Sequence, residues 1–171
     1  VAAGAAGAGV LTHLLGQSAA EVAEKVTAYR RAWRAAGCPG DGHGTLMLHT
    51  FVGDSTEAVK ELVRQPMKDY LRTSISLIKN FAAAFPTFKR KDEALDFAAL
   101  TPEQHEALLD YSFERYFETS GLFGDLDTCA VMVDRLKGIG IDEIACLIDF
   151  GVPAETTLEH LGHLDVLRRL T

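Results

Sequence analysis

Apolar positions along the chain fall into short runs, each followed by a stripe at helical spacing, and the unit recurs. Residues 9–15, GVLTHLL, predict a short strand. Ser18 with Glu21 makes a capping box, and Val22, Val26, Tyr29 and Trp33 repeat at helical intervals until Gly37 provides a stop. Residues 45–52, TLMLHTFV, predict a second strand that ends at Gly53. Asp54 with Glu57 reads as a second capping box, and Val59, Leu62, Val63, Met67, Tyr70 and Leu71 continue a helix that Pro66 bends.

Periodicity lapses over residues 81–100, FAAAFPTFKRKDEALDFAAL, and an irregular piece of this length in a compact domain is usually functional or mobile. Thr101, Pro102 and Gln104 then supply a cap, a first-turn proline and a capping partner for a helix running to about Glu118. SGLFG at 120–124 predicts a third strand. Asp125 caps a helix with Leu126, Cys129, Ala130, Val133 and Leu136 on one face, and Gly138 and Gly140 end it. The fourth strand candidate, residues 141–151 (IDEIACLIDFG), is apolar at alternate positions on both sides, as a strand covered on both faces must be. A helix carrying Leu158, Leu161, Leu164, Leu167 and Leu170 closes the pattern.

Four strand-helix units in succession argue for an α/β fold with a parallel sheet. A doubly wound sheet would place a glycine-rich phosphate loop after a strand, whereas the glycines of GIGIDE precede one. The remaining architecture is part of a (β/α)8 barrel, whose chemistry sits at the C-terminal strand ends. Thr12 and His13 lie near one such end, His49 and Thr50 near a second, and Asp149 near the last. The expectation is that these side chains gather at a common mouth. An imidazole there suits proton transfer because its unperturbed pKa lies near neutrality. The plainer role for His13 is that of a core histidine satisfied by a backbone carbonyl.

Composition narrows the partners. The chain has 171 residues, 47% of them hydrophobic, enough for one packed domain, and a formal charge of −7 that opposes nucleic-acid binding. Lys89, Arg90 and Lys91 run straight into Asp92 and Glu93, a solvated loop more than a binding patch. Cys38, Cys129 and Cys146 form no CxxC pair, so neither a disulfide framework nor a structural zinc site is expected, and a cytoplasmic location is. No apolar run reaches the roughly 18 residues that a membrane span needs. The start, VAAGAAGAG, has no charged signal-peptide region and reads as the middle of a longer protein. His160 and His163 share a helix face without a converging carboxylate array, so no metal is expected there. Cys146 reads as a small buried hydrophobe and Trp33 as packing.

Three segments, VLTHLLGQSAAEVAEKVTAYRRAWRAAG, TLMLHTFVGDS and GLFGDLDTCAVMVDRLKGIGIDEIACLIDFGV, resemble the C-terminal half of the luciferase-like flavin-dependent monooxygenases. The branch they look most like is the one associated with polyketide and nonribosomal peptide assembly lines, of the mupirocin type. The resemblance implies strands five to eight of a TIM barrel, with residues 1–171 as a partial monooxygenase domain and 81–100 as a lid. It implies reduced FMN and O2 acting on an acyl or aminoacyl intermediate, free or tethered to a carrier protein, with a flavin reductase as partner and a homo-oligomeric state. It assigns His13 and His49 to catalysis, and Thr12, His13 and Thr50 to the cofactor. Phe85 and Phe88 go to the substrate, together with Phe81 and Phe97 forming the underside of the lid, while Asp149, by its place near the end of the last strand, binds substrate or caps the next helix. A second reading is a noncatalytic half-barrel that binds flavin weakly or completes itself by pairing with another chain.

Overall fold

The computed structural model describes residues 1–73 and 100–171. A short helix α1 (Ala2–Ala5) precedes β1 (Val10–His13), α2 (Ala19–Ala35), β2 (Gly44–Val52) and α3 (Thr56–Thr73); α4 (Pro102–Thr119), β3 (Leu122–Gly124), α5 (Leu126–Gly138), β4 (Glu143–Leu147) and α6 (Ala154–Leu170) follow. All strand pairings are parallel. Parallel strands alternating with helices are the half-barrel class that the sequence predicts. The irregular stretch read as a lid, with Phe81, Phe85, Phe88 and Phe97, lies outside the described residues except at Leu100.

Local signals account for several element boundaries. Ser18 and Glu21 close the expected box on α2, and Thr101 and Gln104 close one on α4 with Pro102 in its first turn. Asp125 caps α5 by accepting the Thr128 N–H at 2.9 Å. The cap of α3 differs from expectation: the Ser55 hydroxyl accepts the Ala58 N–H at 3.1 Å, while Asp54 accepts from His163 of α6 instead. Either side chain could cap by its chemistry, and the tertiary partner of Asp54 decides between them.

Strand order departs from a simple succession. β2 is central, with β1 paired along residues 44–47 and β4 along residues 45–49, while the three-residue β3 pairs only with Thr50, Phe51 and Val52. β4 thus lies against β2 and not beyond β3. Asp142 fixes this placement. Its carboxylate accepts the Gly44 N–H at 2.7 Å and a 2.8 Å bond from Arg30 of α2, and its own N–H donates to Gly44 O. The strand is shorter than the 141–151 run and only half covered. Cys146, expected to be buried, is exposed.

Two cores form on opposite faces of the sheet. Leu46, Leu48 and Val52 pack with Val22 and Val26 of α2, Cys129, Val133 and Leu136 of α5, and Leu167 of α6. Phe51 and Phe123 pack with Val59, Val63, Met67 and Leu71 of α3 and with Leu108, Phe113, Tyr116 and Phe117 of α4. Each such side chain contributes about 1.5–3 kcal/mol by leaving water. The second face is covered only toward the C-terminal ends of the strands. Nearer their beginnings Leu11 is 62% exposed and Thr45 and Met47 are half-buried.

Helices α3 and α4 are joined by charge as well as by apolar packing. Lys60, Arg64, Lys68 and Arg72 recur every fourth residue on α3 and meet Glu114, Asp110 and Glu106 on the antiparallel α4. Four-residue spacing stacks side chains along one helix face, so both stripes were readable in the sequence. Lys68 is only 5% exposed and bonds both Glu106 and Asp110.

Candidate functional site

Side chains alternate across a strand, and partners in a parallel ladder share a face. His13 is in register with Met47, and His49 with Leu147, so the two histidines stand on the same face of adjacent strands. Strand geometry puts their Cα atoms about 8 Å apart. Thr12 is in register with Leu46 and faces the other way, toward α2, where its hydroxyl accepts from Gln17 at 3.0 Å. Thr50 also falls on the opposite face from His49, and its hydroxyl donates to Leu48 O at 2.9 Å. His13 and His49 therefore share a sheet face that neither threonine occupies.

The two histidines differ in environment. His13 is exposed, its Nδ1 accepts the Leu15 N–H at 3.1 Å, and its carbonyl accepts from Gln17. It is tied into the turn between β1 and α2 through a backbone N–H, and is not the carbonyl-satisfied core histidine of the plainer alternative. His49 is 1% exposed and sits in a box of rings from three elements. Tyr70 of α3 lies 4.5 Å away centroid to centroid at 70°, Tyr116 of α4 at 5.5 Å, and Phe150, just past β4, at 5.5 Å and 88°. Nδ1 of His49 is 2.6 Å from the Tyr116 hydroxyl, and its Nε2 is buried without a hydrogen-bond partner among the described residues.

Burial sets the protonation of this pair. Desolvation pulls the His49 pKa down to about 4, only partly opposed by the Asp149 carboxylate. The same burial raises the Tyr116 phenol well above its ordinary value. His49 is therefore a neutral imidazole at pH 7 and does not titrate near neutrality as its residue type alone suggests. Asp149 is exposed on the rim, close enough to act on His49 through space.

Sequence reasoning read Tyr70 only as part of the apolar α3 stripe and did not single out Tyr116 or Phe150. Tyr116 carried a signal: it continues the apolar α4 stripe of Leu109 and Phe113, and a phenol on such a stripe needs a buried partner. Phe150 carried none, because its contact depends on where β4 lies.

Other candidates fall elsewhere. His160 and His163 stack with centroids 5.6 Å apart, His160 bonding Thr156 O and His163 bonding Asp54. Among the described residues no group of three or more His, Cys, Asp or Glu side chains is arranged to hold a metal ion. A groove of about 640 Å³ runs between α5, β4 and α6, lined by Leu136, Ile144, Cys146, Leu164 and Leu167. It lies on the sheet face opposite His49 and shares nothing with the aromatic box. No helix among the described residues is long and apolar enough to cross a membrane.

No protein-family model matches the sequence, and no curated protein does. Among solved structures, the chain is similar to the monooxygenase RslO1 from Streptomyces bottropensis, with a TM-score of 0.61 and 17% identity, over 96% of this chain and 43% of that one. It is also similar to the coenzyme F420 dependent tetrahydromethanopterin reductase from Methanopyrus kandleri, with a TM-score of 0.55 and 12% identity, over 90% of this chain and 43% of that one. The chain thus spans less than half the length of these structures, and what it shares with them is the fold: half of a parallel (β/α) barrel.

Proposed function

We propose that this chain is the C-terminal half of a flavin-dependent monooxygenase of the luciferase-like kind, its four strands those read from sequence as five to eight of the barrel, with the last paired to the second instead of the third. The observation that carries the reading is His49: a neutral, desolvated imidazole with one unpartnered nitrogen, on the sheet face that also holds His13, toward the C-terminal strand ends. Barrel enzymes assemble their chemistry at those ends. The likeness in fold to the monooxygenase RslO1 supports the same reading.

The residues present suit the ring of a flavin. A neutral imidazole, apolar walls from Tyr70 and Phe150, and a second imidazole one step along the neighbouring strand match a planar ring with polar edges. When bound and reduced, FMN supplies the electrons with which O2 is activated. The chain's own part is to orient and to exclude water. His49 holds a hydrogen bond at a fixed place in a dry site, His13 is exposed enough to exchange protons with solvent, and Asp149 contacts substrate from the rim. Thr12 and Thr50 have no place in this arrangement. The substrate is an acyl or aminoacyl intermediate of natural-product assembly, free or on a carrier protein, and a flavin reductase supplies FMNH2. The exposed Leu11 and the partly open sheet face favour association with a further strand-bearing partner, including another copy of the chain.

Titration with FMN and, anaerobically, with FMNH2, followed by flavin fluorescence and absorbance, tests this. Saturable binding weakened about tenfold in His49→Gln, which is about 1.4 kcal/mol, is expected. Failure of both flavin forms to bind overturns the proposal, and binding of coenzyme F420 in preference to FMN overturns the cofactor assignment.

A further inference from the structure

We infer that Tyr116 is the positioning residue of His49: its hydroxyl donates to Nδ1, fixing the imidazole as the Nε2–H tautomer and reserving that N–H for a neutral acceptor oxygen, such as a carbonyl, on a bound ligand. The inference takes the site reading above as its premise, yet its first test needs no flavin.

Three observations lead there. The Nδ1 to hydroxyl distance is 2.6 Å, within the range of a well-formed bond to a phenol. Burial opposes loss of the phenolic proton, so the hydroxyl keeps a hydrogen to give. A neutral imidazole that accepts at Nδ1 carries its one proton on Nε2. The ring cannot turn to exchange the two nitrogens freely, because Tyr70 meets it at 70° and Phe150 at 88°.

Nε2 is the nitrogen left buried without a partner. Leaving a buried donor unmade is costly, and an unsatisfied group at a functional strand end is explained by a ligand that completes it. Among the described residues, the titratable groups facing His49 are Tyr70 and Tyr116 from the helices and Asp149 from the rim. None is a cation. An anionic ligand atom would thus lose its hydration with nothing to offset it, whereas a carbonyl oxygen loses little and gains the N–H. The two helices that present Tyr70 and Tyr116 are held together by the ion pairs of Lys60, Arg64, Lys68 and Arg72, so the aromatic box is assembled as a unit.

The chain labelled with 15N-histidine, examined by long-range proton-nitrogen correlation at neutral pH, reads the tautomer directly. His49 is expected to show a protonated Nε2 and an unprotonated Nδ1, and Tyr116→Phe to lose that single tautomer. A wild-type His49 protonated at Nδ1, or a Tyr116→Phe spectrum unchanged at His49, overturns the role of Tyr116. The wild-type measurement decides even where the variant does not fold. Saturating FMN is then added to the wild type. Movement of the Nε2 resonance supports its assignment to the ligand. FMN that binds by fluorescence while Nε2 stays put overturns that assignment and leaves the flavin reading intact. FMN that fails to bind overturns both the flavin reading and the ligand contact, with the tautomer still deciding Tyr116.

Discussion

Lys68 on α3 places its ammonium 2.6 Å from a carboxylate oxygen of Asp110 on α4, and Glu106, one turn away, takes the same nitrogen. The cation is buried while both acids are half-exposed, so the carboxylates bring their partly hydrated charge to a nitrogen that has lost its water.

Removing both acids leaves that cation uncompensated. The double substitution Glu106→Gln with Asp110→Asn is expected to cost about 3 kcal/mol in chemical denaturation. Lys68→Met keeps the aliphatic stem in place and removes the charge, so it is expected to change stability by less than about 1 kcal/mol. A larger loss in Lys68→Met than in the double variant would show that the cost does not come from an uncompensated buried cation.

The desolvated His49 makes stability depend on pH. Its pKa in the folded chain is about 4, below the ordinary 6.5, so the unfolded chain takes up the proton first as pH falls. The contribution is complete above about pH 6.5 and is lost between 6.5 and 4, by on the order of 3 kcal/mol. Denaturation midpoints across that window should fall in the wild type and fall less in His49→Gln. Parallel curves for the two proteins would refute the burial argument.

Asp142 joins the start of β4 to the start of β2 and to Arg30. Asp142→Ala leaves the Gly44 N–H without its acceptor and is expected to cost about 1–3 kcal/mol, with faster hydrogen exchange along β2. The bonds from Gly44 and Arg30 hold the carboxyl below its ordinary pKa despite burial, so this stability is present above the carboxylate range and is lost as pH drops through the folded value. Unchanged exchange in Asp142→Ala would mean that β4 is held to β2 by other contacts.

Gly124 ends β3 at φ 135°, and a Cβ there would stand 2.9 Å from Thr56 Oγ1 and 3.0 Å from Thr128 Cγ2. Its carbonyl accepts the Gly53 N–H at 3.0 Å, the last link between β2 and β3. Gly124→Ala is expected to lose about 1–3 kcal/mol in thermal unfolding. A variant as stable as the wild type would show that the turn adapts.

The chain order of strands and helices, and the caps at Ser18, Thr101 and Asp125, were determined by sequence alone, because each rests on residues within one turn or one strand of one another. The opposite facing of Thr12 and His13, and of Thr50 and His49, was equally local and follows from a two-residue period; grouping the threonines with the histidines overlooked it. The matched charge stripes on α3 and α4 were visible as spacing, but their pairing needs the helices to run antiparallel. Only tertiary structure decided that β4 lies on β2, that Asp54 serves His163 instead of α3, and that His49 is drawn from near-neutral chemistry to a neutral buried ring. Those outcomes depend on groups as far apart as Asp54 and His163, 109 residues distant in sequence, and on the loss of water that follows when elements such as those of His49 and Tyr116 close together.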